Sequence, residues 1–187
     1  MFNYFSWIKE QFKETKTAVL AVIFTVARII YGWAWLQAGW GKATTGWLNF
    51  QGGHASKLID TMAANMLPPK AHGFDPLYIN KLWAWVAGHI FNSVPGLTDF
   101  FVPLCEMAIG ILMILGFRLF WTALLGLFLN VQFIASGSAN NFGYIWTNII
   151  IMNLAKYGEM IGLSGYCDYR KGRKAGRAPV SRTQTAK

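Results

Sequence analysis

The amino-acid sequence predicts an all-α integral membrane protein, a bundle of four transmembrane helices with both termini in the cytoplasm. Three observations predict it. The 187-residue chain is 54% apolar and 13% charged, whereas about a quarter of the residues of a soluble domain carry charge. Between Phe100 and Ala135, leaving a thiol aside, the ionisable side chains are Glu106 and Arg118, a surface that lipid solvates and water does not. Basic residues gather at both ends of the chain, and an even number of crossings puts both ends on the cytoplasmic side.

The elements follow in order. In the first segment Phe2, Phe5, Ile8 and Phe12 alternate with Lys9, Lys13 and Lys16, the spacing of an interfacial helix with a cationic face. The first span covers about 18–38. It begins like a signal peptide, with Thr25, Val26 and Ala27 resembling a cleavage site, but continues through Arg28, Trp33, Trp35 and Leu36 as an uncleaved helix. Residues 39–99, rich in glycine and proline and holding all three histidines, read as a long outer loop. Inside it, LYINKLWAWVAGHIFN is too short to span and reads as a helix at the membrane surface. The second span covers about 100–117, with Thr98 or Asp99 as its cap and Pro103 near its first turn. A tight reversal at Gly116, Phe117 and Arg118 leads to the third span, about 119–136. SGSANNFG turns into the fourth, about 144–163, which carries Lys156 and Glu159 in its last two turns. Residues 1–169 thus form one membrane domain and 170–187 a basic cytoplasmic tail.

The net charge of +9 belongs largely to that tail, which suits anionic lipid better than nucleic acid. Cys105 and Cys167 fall at opposite predicted depths, which argues against a disulfide between them. His54, His72 and His89 lie in the outer loop, so no span offers an axial haem ligand, and their spacing matches no metal motif. Phosphate loops, CxxC pairs and nucleophile elbows are absent from the sequence.

Charge at membrane depth needs pairing. Arg28 in span one and Glu106 in span two are expected to pair, either to fix helix register or to form a site. Gln37, Lys42, Asn130, Gln132, Asn148 and Asn153 extend a polar seam in the outer half. Such amides serve either as interhelical hydrogen bonds or, with the cations, as a receptor for a small anion or a quinone headgroup.

The residues Arg28, Gly32, Trp35, Gly39 and Lys42 resemble the opening pattern R-x3-G…G-x2-K of the DoxX-like superfamily. Glu106, Gly110, Gly116 and Arg118 resemble its GE-x3-G-x5-G-x-R pattern, with Cys105 in place of the glycine. The long first outer loop, NVQFIASGSANN and GLSGYCDY are similar to the DoxD branch, which includes the membrane subunit of thiosulfate:quinone oxidoreductase. The resemblance covers about residues 18–169. It implies a four-helix bundle in a bacterial or archaeal inner membrane and electron transfer from thiosulfate to a diffusible quinone. It also implies a second small subunit, to which nothing in this chain is similar.

On that reading Arg28 and Glu106 are the catalytic candidates. Arg28, Lys42, Gln37, Asn130, Gln132 and Asn148 are the substrate-binding candidates, with no haem or metal. The expected partners are the bilayer, a membrane or extracytoplasmic subunit and a second copy of the chain. The competing reading is a non-catalytic accessory or scaffold subunit of a larger membrane complex. A transporter ranks last, because no inverted repeat is evident.

Overall fold

The computed structural model describes residues 4–66, 78–137 and 142–174, and among them the chain is helical, without a strand. The helices are α1 (Tyr4–Gln11), α2 (Thr15–Thr44), α3 (His54–Met66), α4 (Ile79–Val86), α5 (Pro95–Leu115), α6 (Leu119–Ala135), α7 (Phe142–Asn153), α8 (Ala155–Met160) and α9 (Leu163–Lys174). A 3-10 turn at Trp47–Asn49 follows α2, and a π-helical turn at Ala87–Phe91 extends α4. Two helices, α2 and α5, are long and apolar enough to cross a membrane, and α6 is a shorter apolar helix.

The chain divides into two compact units. One comprises the residues up to Ala34, Ile109–Leu125 and those from Asn148; the other comprises Trp35–Ala108 and Gly126–Thr147.

The first unit is organised around backbone junctions. Helix α5 ends in a Schellman turn: the Phe117 amide donates to Leu112 O and the Gly116 amide to Met113 O, with Gly116 at φ 65°. Glycine takes that left-handed conformation without a Cβ penalty. Arg118, also at positive φ, donates its amide to Ser164 Oγ, and the Ser164 amide returns a bond to Gly116 O. The Leu119 amide, an orphan donor at the start of α6, reaches Glu159 Oε1 at 2.6 Å. Helix α1 packs on α9 through Tyr4, Trp7, Tyr166 and Tyr169. The Tyr4 hydroxyl donates to Met160 O and Gly162 O.

The second unit is held by Asp99. Its carboxylate, fully buried, accepts the amides of His54 and Ala55 and so caps the start of α3. Ile59, Met62 and Ala87 form a small core with Met66, Trp83 and Ala135 packed against it. Trp83 donates its indole N–H to Gln132 Oε1 at 2.6 Å and meets Phe128 edge to face. Helix α2 also lies close to α5 here, because Gly39 leaves room for the backbone of Pro103 and Met107.

Several expected boundaries move. Helix α2 continues past the predicted end at 38 to Thr44, where the Thr44 and Thr45 hydroxyls turn back onto carbonyls of the last turn. Starting the loop at Gly39 mistakes a packing glycine for a breaker. Helix α5 begins at Pro95, so Asp99 lies inside it and caps α3 instead, and Pro103 sits about two turns in. The described residues of the predicted outer loop 39–99 are largely helical. The fourth predicted span, 144–163, is not one helix: it breaks at Leu154 and again at Ile161 and Gly162. His72, the prolines at 68, 69 and 76, residues 138–141 and the tail beyond 174 lie outside the described residues.

Replacing Asp99 by alanine removes both capping bonds and is expected to cost about 1–3 kcal/mol, with Asp99→Asn intermediate. Hydrogen exchange checks it: the His54 and Ala55 amides should lose protection first.

Candidate functional site

Arg28 lies on α2 in the first unit and is 3% exposed. Its guanidinium meets the ends of two helices. Nε donates to Gly158 O at 2.9 Å, Nη1 to Met113 O at 2.5 Å and to Ile114 O, and Nη2 to Ile161 O at 2.6 Å. Four of the five guanidinium hydrogens are therefore spent on backbone carbonyls. The acceptors sit where α5 and α8 run out of helical donors, and the negative ends of both helix dipoles face the cation. Each charge-assisted bond contributes about 1.5–3 kcal/mol, so the set together matches the several kcal/mol that burying a cation costs. Gly116 keeps the approach open, since a Cβ there would stand 2.7 Å from Arg28 Cζ. Glu159, which caps α6, also interacts with Arg28 through its charge.

The expected Arg28–Glu106 pair is therefore not formed. Glu106, on α5 in the second unit, is 1% exposed and takes both carboxylate bonds from Lys42 Nζ on α2, at 2.6 and 2.8 Å. Sequence reasoning chose the wrong cation because it ended the first helix at 38. One more turn of α2 carries Lys42 to the carboxylate. The Lys42 side chain is 25% exposed. Its ammonium lies 5.0 Å from the Phe133 ring and 5.8 Å from the Trp47 ring, within cation–π range. Trp47 in turn stacks on the exposed His54 ring at 5.0 Å. The arrangement is a buried carboxylate, a bidentate ammonium with one hydrogen to spare, and two aromatic faces beside it.

The remaining seam residues separate. Asn148 is fully buried in the first unit and donates to the Tyr31 hydroxyl at 2.9 Å. Asn130 is buried on α6. Gln132 is committed to Trp83. Gln37 is exposed, and Asn153 is exposed and bonded to its own helix at Ile149 O. Cys105 and Cys167 are free thiols, and His54 and His89 are exposed, each stacked on a tryptophan. Trp47, Phe133 and the carbonyl acceptors of Arg28 were not singled out by the sequence. Their signals were weak: aromatics are abundant in this chain, and a backbone carbonyl has no sequence signature.

No protein-family model, curated protein or solved structure matches the chain.

A lysine at position 28 offers three donors from one point and cannot reach four carbonyls at two helix ends. Arg28→Lys and Arg28→Gln are both expected to lose about 3–5 kcal/mol, roughly 10 °C in Tm for a chain of this size, with faster exchange at the Ser164 amide. A lysine variant within about 2 °C of wild type would show that position 28 needs charge alone.

Proposed function

We propose that the chain is a multi-pass inner-membrane protein of the DoxX-like superfamily, in its DoxD branch. In this reading it is a quinone-linked oxidoreductase subunit whose working centre is the Lys42–Glu106 pair. The membrane part is supported by an inversion of burial. Val22, Ile23, Val26, Ile30 and Trp33 on α2, Phe101 and Ile111 on α5 and Trp121 and Phe128 on α6 are exposed, while Arg28, Glu106, Asn130 and Asn148 are buried. Exposed apolar surface of this extent needs an apolar solvent.

The observation that carries the centre is the bidentate Lys42–Glu106 contact under Trp47 and Phe133. A quinone carbonyl is a neutral acceptor. It takes the third ammonium hydrogen without displacing Glu106, and its ring meets aromatic faces, as planar π systems favour. A small sulfur anion such as thiosulfate, the donor that the resemblance implies, has a harder task. It must compete with Glu106 for Lys42, and Arg28 has one hydrogen left to offer. The quinone is therefore the ligand assigned to this chain. Contact with the anion falls to a second, extracytoplasmic subunit or to a transient encounter at Lys42.

The accessory or scaffold reading also draws on a specific observation: Arg28, Asp99, Gln132 and Glu159 all serve internal bonds. It predicts a chain that binds partners and no quinone.

Stability and function separate by substitution. Lys42→Met strands a buried carboxylate and is expected to cost about 3–5 kcal/mol. The Lys42→Met/Glu106→Gln double variant removes both charges and should regain most of that loss. Titration of the reconstituted protein with a short-chain quinone should show at least a 10-fold weaker Kd for the double variant, the equivalent of about 1.4 kcal/mol. A wild-type chain that binds no quinone while holding a partner through purification would move the assignment to the scaffold.

A further inference from the structure

The N-terminal helix and the last described helix belong to one surface. Tyr4 stacks on Trp7 and meets Tyr166 edge to face at 5.5 Å. Trp7 and Gln11 are buried on the inner side of α1, whereas Phe5 is 73% exposed. On α9 Tyr169 is buried, and Leu163 and Tyr166 are exposed. Around these apolar side chains stand exposed cations: Lys9 on α1, Lys16 at the start of α2, Arg118 at the turn bonded to Ser164, and Arg170 and Lys171 on α9. Among the described residues none of these five forms an ion pair. Of the acids on these segments, Glu10 pairs with Lys13 at 2.7 Å, Glu14 accepts the Thr17 hydroxyl, and the half-buried Asp168 of α9 is itself partnered.

We infer that the α1–α9 face is a docking surface for anionic phospholipid headgroups, and that lipid bound there secures the junction at Arg28. Charge complementarity names the occupant. Unpaired cations interleaved with exposed Phe5, Leu163 and Tyr166 match a surface of phosphate groups over acyl chains, where aromatic and leucine side chains enter and lysines meet phosphate. A soluble acidic protein would satisfy the cations and leave the apolar side chains in water.

The coupling follows from Tyr4. Its hydroxyl bonds Met160 O and Gly162 O, the carbonyls on either side of Ile161, whose own carbonyl is held by Arg28. Lipid that fixes α1 against α9 thereby holds the same break in the chain that Arg28 caps. Unlike the quinone assignment, this inference needs no activity at Lys42 and rests only on residence in a bilayer.

The test uses the full chain in nanodiscs of phosphatidylcholine alone and with about 30% phosphatidylglycerol. Wild-type protein should unfold about 5 °C higher in the anionic bilayer. About 0.5 M salt should remove most of that gain. Lys9→Glu/Arg170→Glu/Lys171→Glu, all at exposed positions, should keep the Tm of wild type in phosphatidylcholine and lose the gain. Tyr4→Phe should lower Tm in both bilayers and shrink the difference between them. Equal Tm in the two bilayers, or a gain that survives the triple charge reversal, overturns the inference. Failure of the chain to enter either nanodisc overturns the membrane reading beneath it as well.

Discussion

A guanidinium without water must find an acceptor for nearly every hydrogen, and much of the first unit answers that demand on Arg28. Helix α5 has to stop where its last carbonyls can turn to the cation, and the Schellman turn at Gly116 stops it there. The segment after Asn153 has to interrupt its helix so that the carbonyls of Gly158 and Ile161 are free. Ser164, Glu159 and Tyr4 then bond what the interruption exposes. A continuous helix through 144–163 would consume those carbonyls in its own ladder and leave the buried charge uncompensated. The broken helix and the buried arginine are thus one feature, each tolerable because of the other.

On the proposed reading, the two cations of α2 divide the work between them. Arg28, with planar donors that reach several acceptors, is used for architecture. Lys42, a point charge with partial exposure and one uncommitted hydrogen, is the cation that the proposed reading gives to the ligand. Its pairing with Glu106 keeps the local charge near zero, which suits a neutral ring better than an anion. In the proposed reading, that commitment of Arg28 is what gives the quinone precedence over the sulfur compound.

Much of this was legible in the sequence, and the failures have physical causes. Helices α2, α5 and α6 follow from apolar runs long enough to dominate any local signal. Arg28, Glu106 and Lys42 stand out because charge is scarce around them. Gly32, Gly39 and Gly116 each have a packing reason that is independent of any family. A Cβ at Gly32 would stand 2.8 Å from Gly110 O, one at Gly39 would stand 2.8 Å from Pro103 O, and Gly116 lies against Arg28. What could not be read was partner choice. Opposite charges point Arg28 to a carboxylate, but carbonyls at helix ends compete for arginine and are invisible in a list of side chains. Thr98 or Asp99 reads as a local cap for the same reason, since the role of Asp99 on α3 depends on a contact 45 residues away.

The decisive property is whether the Arg28 guanidinium is fixed by the protein and closed to ligand. Nitrogen-15 NMR of the side chain in lipid nanodiscs reads this. Bonds from both Nη atoms to separate helix ends predict distinct, slowly exchanging Nη1 and Nη2 resonances that stay in place when a short-chain quinone or thiosulfate is added. The Lys42 ammonium resonance should move with the quinone. A single averaged Nη signal, or one that shifts on addition of either compound while Lys42 does not, would return Arg28 to the binding site and contradict the division of roles.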